Sequence, residues 1–195
     1  MIPLLEIFRR STEVMKYFLG FLVTVGLIVG VFVLILHGFG GSKKPTAQAL
    51  VNYASSNRTV QETITGPLTT DDQHYALRLT VGQSQITLEA LHGYNEAVTQ
   101  TYAYANNQAA YAEFLRALDL AGFTKGNANT NQDDRGFCST GRRYHFVIND
   151  GANTVQDYWT SSCGGGNFSG NLTGVKDLFI TQVPDFNKVS SLVSL

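Results

Sequence analysis

The chain has no third cysteine, no Gly-Lys-Ser/Thr ending on its glycine-rich stretch and no surplus of basic residues. Each absence removes a class of function. Gly164 to Gly166 is not followed by the lysine that would reach a phosphate, and Ser161 and Ser162 do not form a G-x-S-x-G nucleophile elbow. Taking the five basic and two acidic residues of positions 1–45 from totals of 14 and 15 leaves nine basic against 13 acidic residues. The remainder is therefore mildly acidic, with no patch to release counterions from a phosphate backbone, and nucleic acid is not an expected partner. His74, His92 and His145 show no metal-ligand spacing with Cys138 or Cys163, so neither a metal nor a cofactor is expected. Asp71-Asp72 and Asp133-Asp134 lack the alternating oxygen ligands of a calcium loop and read as solvated loop charges.

What dominates instead is one apolar run. Tyr17 to Leu36, YFLGFLVTVGLIVGVFVLIL, contains 20 residues and no charge. At a rise of about 1.5 Å per residue it matches the roughly 30 Å hydrocarbon core of a bilayer. A transmembrane helix is assigned to residues 17–37. A cleaved signal peptide is the competing reading, since Gly38-Phe39-Gly40 resembles a weak cleavage site, but such peptides have apolar cores of only about 7–15 residues. No cysteine follows the run, which excludes lipoprotein attachment there. Arg9, Arg10 and Lys16 precede it and Lys43 and Lys44 follow, a slight bias toward a cytoplasmic N-terminus. Residues 1–16 carry Leu4, Leu5, Ile7, Phe8 and Met15 among charges and read as a cytoplasmic or interfacial segment. Gly26 and Gly30 form a G-x-x-x-G pair that would let two such helices approach as a homodimer. Residues 38–45, rich in glycine and ending at Pro45, read as a linker.

Residues 46–195 read as an extracytoplasmic α+β domain with an antiparallel sheet, an amphipathic helix and a disulfide-bridged hairpin. Thr59 to Ile64 has strand character, closed by Gly66-Pro67. Tyr75, Leu77, Leu79 and Val81 alternate with polar neighbours, and Gly82 to Gln85 turns the chain into Ile86 to Ala90. His92 to Asn95 marks a second turn, after which Val98, Gln100, Tyr102 and Tyr104 are expected on one strand face. The period then changes: Tyr111, Phe114, Leu115, Leu118 and Ala121 form a helical stripe, with Asn106 or Asn107 as N-cap and Gly122 beyond the C-terminus. Residues 124–136 are polar and read as an exposed loop rather than a site. Val175, Leu178, Phe179 and Val183 are helically spaced up to Pro184, and Phe186, Val189 and Leu192 suggest a last short helix.

Between the cysteines the chain reads as a hairpin: Arg143 to Ile148, a turn signal at Asn149-Asp150-Gly151, then Thr154 to Thr160. With Asp150 and Gly151 as the loop, opposed positions sum to 301, as 138 and 163 do, and the cysteines face one another across the ladder. A four-residue loop, Asp150 to Asn153, shifts the register by two and leaves them diagonal, still within bridging reach. A Cys138–Cys163 disulfide closing about 25 residues would contribute roughly 3.5 kcal/mol. It also requires an oxidising compartment, which places this domain outside the cytoplasm. The glycines after Cys163 are expected to let the chain turn sharply. A Cys163 nucleophile would need His145, which alternation sets on the face opposite Tyr144, Phe146 and Ile148 as an exposed histidine.

Tyr102, Tyr104, Tyr158 and Trp159 are candidates for an aromatic contact surface, with half-buried strand aromatics as the alternative. Sequons occur at Asn57, Asn167 and Asn171, close to the number expected by chance. The single span, the stretch NNQAAYAEFLRALDLAGFTKG, the segments RGFC and YWTSSCGGG, and QVPDF together resemble uncharacterised single-span surface proteins of the Saccharibacteria and related reduced-genome episymbiotic bacteria. That resemblance implies a bacterial cell-surface setting and brings no catalytic residues. The Gly20-Phe21 junction is similar to that of type IV pilins, but Val25 stands where pilins carry glutamate, and the glycines and Pro45 interrupt the long helix. The expected function is a membrane-anchored surface module that binds a protein or envelope polymer without catalysis. The alternatives are an envelope enzyme using a Cys-His pair and a pilin-like filament or secretion-complex subunit.

Overall fold

The computed structural model describes residues 50–191 and 193. The assigned span with Gly26 and Gly30, the segment before it and the linker after it lie outside the described residues. Among the described residues no helix is long and apolar enough to cross a membrane.

The domain is an antiparallel α+β fold. Its strands are β1 (Arg58–Thr65), β2 (Tyr75–Val81), β3 (Gln85–His92), β4 (Ala97–Ala105), β5 (Arg143–Asp150) and β6 (Asn153–Ser161), with helices α1 (Gln108–Ala121), α2 (Leu172–Ile180) and α3 (Phe186–Ser190). They form one six-stranded sheet in the order β4-β3-β2-β1-β5-β6. A nine-residue connection between β1 and β2 and shorter turns after β2 and β3 make β1 to β4 a meander, and the chain then returns through α1 to lay the β5–β6 hairpin on the free side of β1.

Strand alternation divides the sheet into two unlike faces. Val60 opposes Val81 and Ile148, while Ile64 opposes Leu77 and Tyr144, and all of these point into one apolar layer. Ile86, Leu88 and Ala90 extend it. The helices close this face with Tyr111, Phe114, Leu115 and Leu118 of α1, Val175 and Phe179 of α2, and Val189 of α3. The α1 stripe is the one expected from its period. Asn107 caps its start by accepting from the Ala110 N–H at 2.9 Å, and Gly122, at φ 79°, ends it in the left-handed region. The stripe on β4 is cut, because a bulge at Thr99 pairs Val98 with Leu91 and Gln100 with Ala90. Val98 is half exposed on the other face, whereas Tyr102 and Tyr104 pack on the core.

A carboxyl breaks the apolar rule on the covered face. Glu62 opposes Leu79 and Phe146, is fully buried, and neither of its carboxylate oxygens has a hydrogen-bond partner. Burial pushes its carboxyl up to about 8, only partly offset by the Lys176 charge, so it is protonated at neutral pH.

The disulfide joins Cys138 to Cys163 with a Cα separation of 5.6 Å. The pairing is the expected one, but its placement differs. Opposed positions along most of β5 and β6 sum to 304, because the loop begins after Asp150 and a bulge adds a residue near Asn149. Neither cysteine therefore stands on the ladder. Each sits in a turn at its open end, and Cys138 takes a left-handed φ of 52° to reach across. Gly141 is required in this corner, since a Cβ there would collide with the Cys138 sulfur and the Ser162 hydroxyl. Beyond Cys163 the successive glycines 164–166 all have positive φ, and they fold the chain back so that Gly166 bridges to Thr160.

Candidate functional site

The second face of the sheet is not covered by helices. Its inward residues are polar or small: Gln61, Thr63 and Thr65 on β1, Ala76 on β2, Arg143, His145 and Val147 on β5, and Asp157 on β6. Three peripheral segments rise around them: the loop before β5, the β1–β2 connection through Leu68 and His74, and the β3–β4 turn. Together they enclose a cleft of about 540 Å³, within the size range of small-ligand sites.

The loop wall is fixed by aromatic packing and by the disulfide. Trp159 is almost fully buried, packs edge-on against Phe137 at 5.3 Å and lies nearly parallel to His145 at 6.4 Å. Its indole N–H donates to the Asn131 carbonyl. Its backbone N–H donates to the Asn167 side chain at 2.7 Å, so this sequon asparagine is a buried structural residue. Asn171, the next sequon, is the N-cap of α2 and accepts from the Gly174 N–H at 3.0 Å.

At the loop side of the cleft, Asp134 Oδ2 lies 3.1 Å from Nε2 of His145, and Asp157 Oδ1 lies 3.3 Å from its Nδ1. Burial alone would push this imidazole down. The two carboxylate hydrogen bonds, from Asp134 first and then Asp157, overcome it and hold His145 up at about 9. Both ring nitrogens donate, and the side chain is a cation clamped between loop and strand. Asp134 is correspondingly held below the usual carboxylate range, its bond to His145 outweighing its burial. Arg143 is also buried and lies 3.8 Å from Asp134 through one terminal nitrogen, while its Nε has no partner.

The opposite wall is built on His74 and Tyr94. Their rings stack at 3.9 Å and 15°, and the Tyr94 hydroxyl donates to the Thr69 carbonyl. The Tyr94 backbone N–H donates to Asp71 at 2.7 Å, tying the two turns together. His74 is buried, its Nδ1 is unpartnered, and burial followed by the nearby Arg143 charge pushes it down, so it is neutral. Glu96, at the rim, adopts a left-handed φ of 52° and pairs with Arg78.

Several sequence expectations change here. His145 is half-buried in an ion network rather than an exposed histidine, and Asp134 and Asp71 hold walls together rather than being merely solvated charges. The loop read as no part of a site supplies Asp134, Arg135 and Gly136 to the cleft. The four aromatics do not meet. Tyr102 and Tyr104 are on β4 and Tyr158 and Trp159 on β6, at opposite edges of the sheet, about 24 Å apart at the usual strand spacing. Trp159 alone adjoins the cleft, and it is a buried pillar. A Cys163–His145 pair has no thiolate to use, because the sulfur is bonded to Cys138. His74 and Arg143 were missed. Burial on the polar side of a strand gives no periodic signal, although Arg143 in a β-rich alternation beside His145 hinted at it.

Among the described residues no group of three or more His, Cys, Asp and Glu side chains is arranged to hold a metal ion. Comparison with protein-family models and with curated proteins finds no match.

Proposed function

We propose that the chain is a single-pass, membrane-anchored cell-surface module that binds a protein or an envelope polymer through the helix-free face of its sheet. The carrying observation is the cleft on that face, where Arg143 and His74 are buried with unpartnered polar atoms. Buried polar groups are ordinarily satisfied, and a concave site lined by a few polar groups is the usual place for a ligand. The disulfide supports an oxidising, extracytoplasmic setting, and the 17–37 run supports the anchor. The resemblance to single-span surface proteins agrees with both. His145, with both nitrogens committed to carboxylates, is poorly suited to proton transfer, which favours binding over catalysis.

The test uses the full chain in detergent as bait against the envelope fraction of its own cells. Capture of one partner that is lost on Tyr94→Ala combined with Glu96→Lys is the expected result. Substrate turnover by the purified chain, capture indifferent to those substitutions, or a domain protected from protease added to intact cells would overturn it.

A further inference from the structure

The two edges of the sheet are treated differently. On β6 the outer backbone is covered: the Trp159 N–H donates to the Asn167 side chain, its carbonyl accepts from the Asn167 and Phe168 N–H groups, and Thr160 bridges to Gly166. On β4, among the described residues, nothing pairs with the outer side. Nor does the sequence blunt that edge. AVTQTYAYA contains no charge and no proline, the residues that usually make an exposed edge unfit for pairing. The bulge at Thr99 lies ahead of the regular stretch.

The ladder fixes which backbone groups are free. The Asn106 N–H donates to the Ser84 carbonyl at 2.9 Å, and the register continues with Tyr104 opposite Ile86, Tyr102 opposite Leu88 and Gln100 opposite Ala90. Bonding residues alternate in an antiparallel ladder, so these even positions turn their N–H and C=O groups to β3. Thr101, Ala103 and Ala105 turn theirs outward, and their small side chains are exposed on the helix-free face.

This segment is complementary to itself. Tyr102-Ala103-Tyr104 reads the same in both directions. With a two-fold axis through Ala103, antiparallel pairing sets Ala103 against its own copy and Thr101 against Ala105, so each outward residue meets another outward residue. The same register sets Tyr102 opposite Tyr104 of the second copy on the helix-covered side, where both rings already pack on the core. Because the strand is uncharged, no like charges are brought together. A strand of another protein could use the same backbone groups, but β4 carries no charge to select one.

We propose that two copies of this chain pair through antiparallel β4 strands about Ala103, joining their sheets. The axis is perpendicular to the sheet, so both helix-free faces point the same way and two clefts are presented together. The covered β6 edge stops further growth. This pairing holds whatever the cleft binds.

Sedimentation equilibrium of the detergent-solubilised full chain should show a reversible dimer. Ala103→Pro removes an outward N–H while sparing the β3 ladder and should weaken dimerisation at least about tenfold. Thr101→Lys with Ala105→Lys sets like charges opposite one another across the axis and should weaken it about tenfold, whereas Thr101→Lys with Ala105→Glu should restore it to within about twofold of wild type. Urea midpoints verify folding, and if Ala103→Pro does not fold, the charge variants at exposed positions decide. Replacing Gly26 and Gly30 with leucine separates any contribution from the 17–37 run, and the β4 effects should persist in that background. A monomer at every concentration, a dimer indifferent to the β4 variants, or a Lys-Glu variant as weak as the Lys-Lys one would overturn the pairing. So would a monomeric chain whose envelope partner is lost on Ala103→Pro, which would assign the edge to a strand of that partner. Failed envelope capture with the dimer intact sinks the binding face and leaves the pairing standing.

Discussion

The two faces of the sheet solve burial in opposite ways. Under the helices, packing of Leu, Val, Ile and Phe does nearly all the work and the one carboxyl buried there, Glu62, is left without a hydrogen bond. On the other face few side chains are apolar, and order comes from charged hydrogen bonds, a stacked His-Tyr pair and a covalent tie. The first arrangement is stable because it is dry. The second is shaped because it is linked, and only a linked, partly wet surface can leave room for a ligand.

The contrast can be broken most strongly at Glu62. Its folded value near 8 lies above the ordinary 4.5, so the native state holds a proton that the unfolded chain releases. Its contribution is fully present below about 4.5 and lost as pH rises to about 8, on the order of 4 kcal/mol across that window. Urea unfolding as a function of pH should show this fall, Glu62→Gln should flatten it, and Glu62→Met should raise stability at pH 8. The next largest effect belongs to the open face. Replacing both cysteines with serine should cost roughly 3 kcal/mol and should also release the loop carrying Asp134, seen as faster amide exchange in residues 130–137.

A smaller change should follow His145→Gln, about 1–3 kcal/mol for a half-buried, doubly hydrogen-bonded cation. Because the folded value is raised from 6.5 to about 9, the wild-type contribution is complete below 6.5 and disappears as pH rises to 9. The variant should lack that alkaline limb while keeping the one due to Glu62. Least affected of all should be Tyr94→Ala, about 1 kcal/mol below wild type for the lost ring stack and hydroxyl bond, although ligand binding would fall. A reversed order, with Tyr94 more costly than Glu62, would mean that the open face carries the fold.

The covered face was largely legible in the sequence, because alternation on β1, β2, β3 and β5 and the stripe on α1 are both consequences of one apolar layer. Even so, Glu62 was invisible, since alternation says only that position 62 points inward, not that a carboxylate is tolerated there. The cysteine pairing was recoverable from a hairpin flanked by two sulfurs, but the register was not: the bulge near Asn149 depends on how β5 meets β1 and β6 together. The cleft was hardest. Asp134, His74 and Arg143 come from separate segments joined only by tertiary contact, and polar residues facing a half-covered surface leave no repeating mark.

Asn167 has a consequence for anyone producing this protein. In a secretory host of the kind that attaches sugars to Asn-x-Ser/Thr, that side chain would be decorated while the chain is still emerging. The native fold needs the same amide inside, with its oxygen on the Trp159 backbone. A glycosylated copy would have no room for the carbohydrate without uncoupling the end of β6 from the segment that follows. Yield from such a host should improve with Ser169→Ala, which erases the acceptor signal while leaving Asn167 in place.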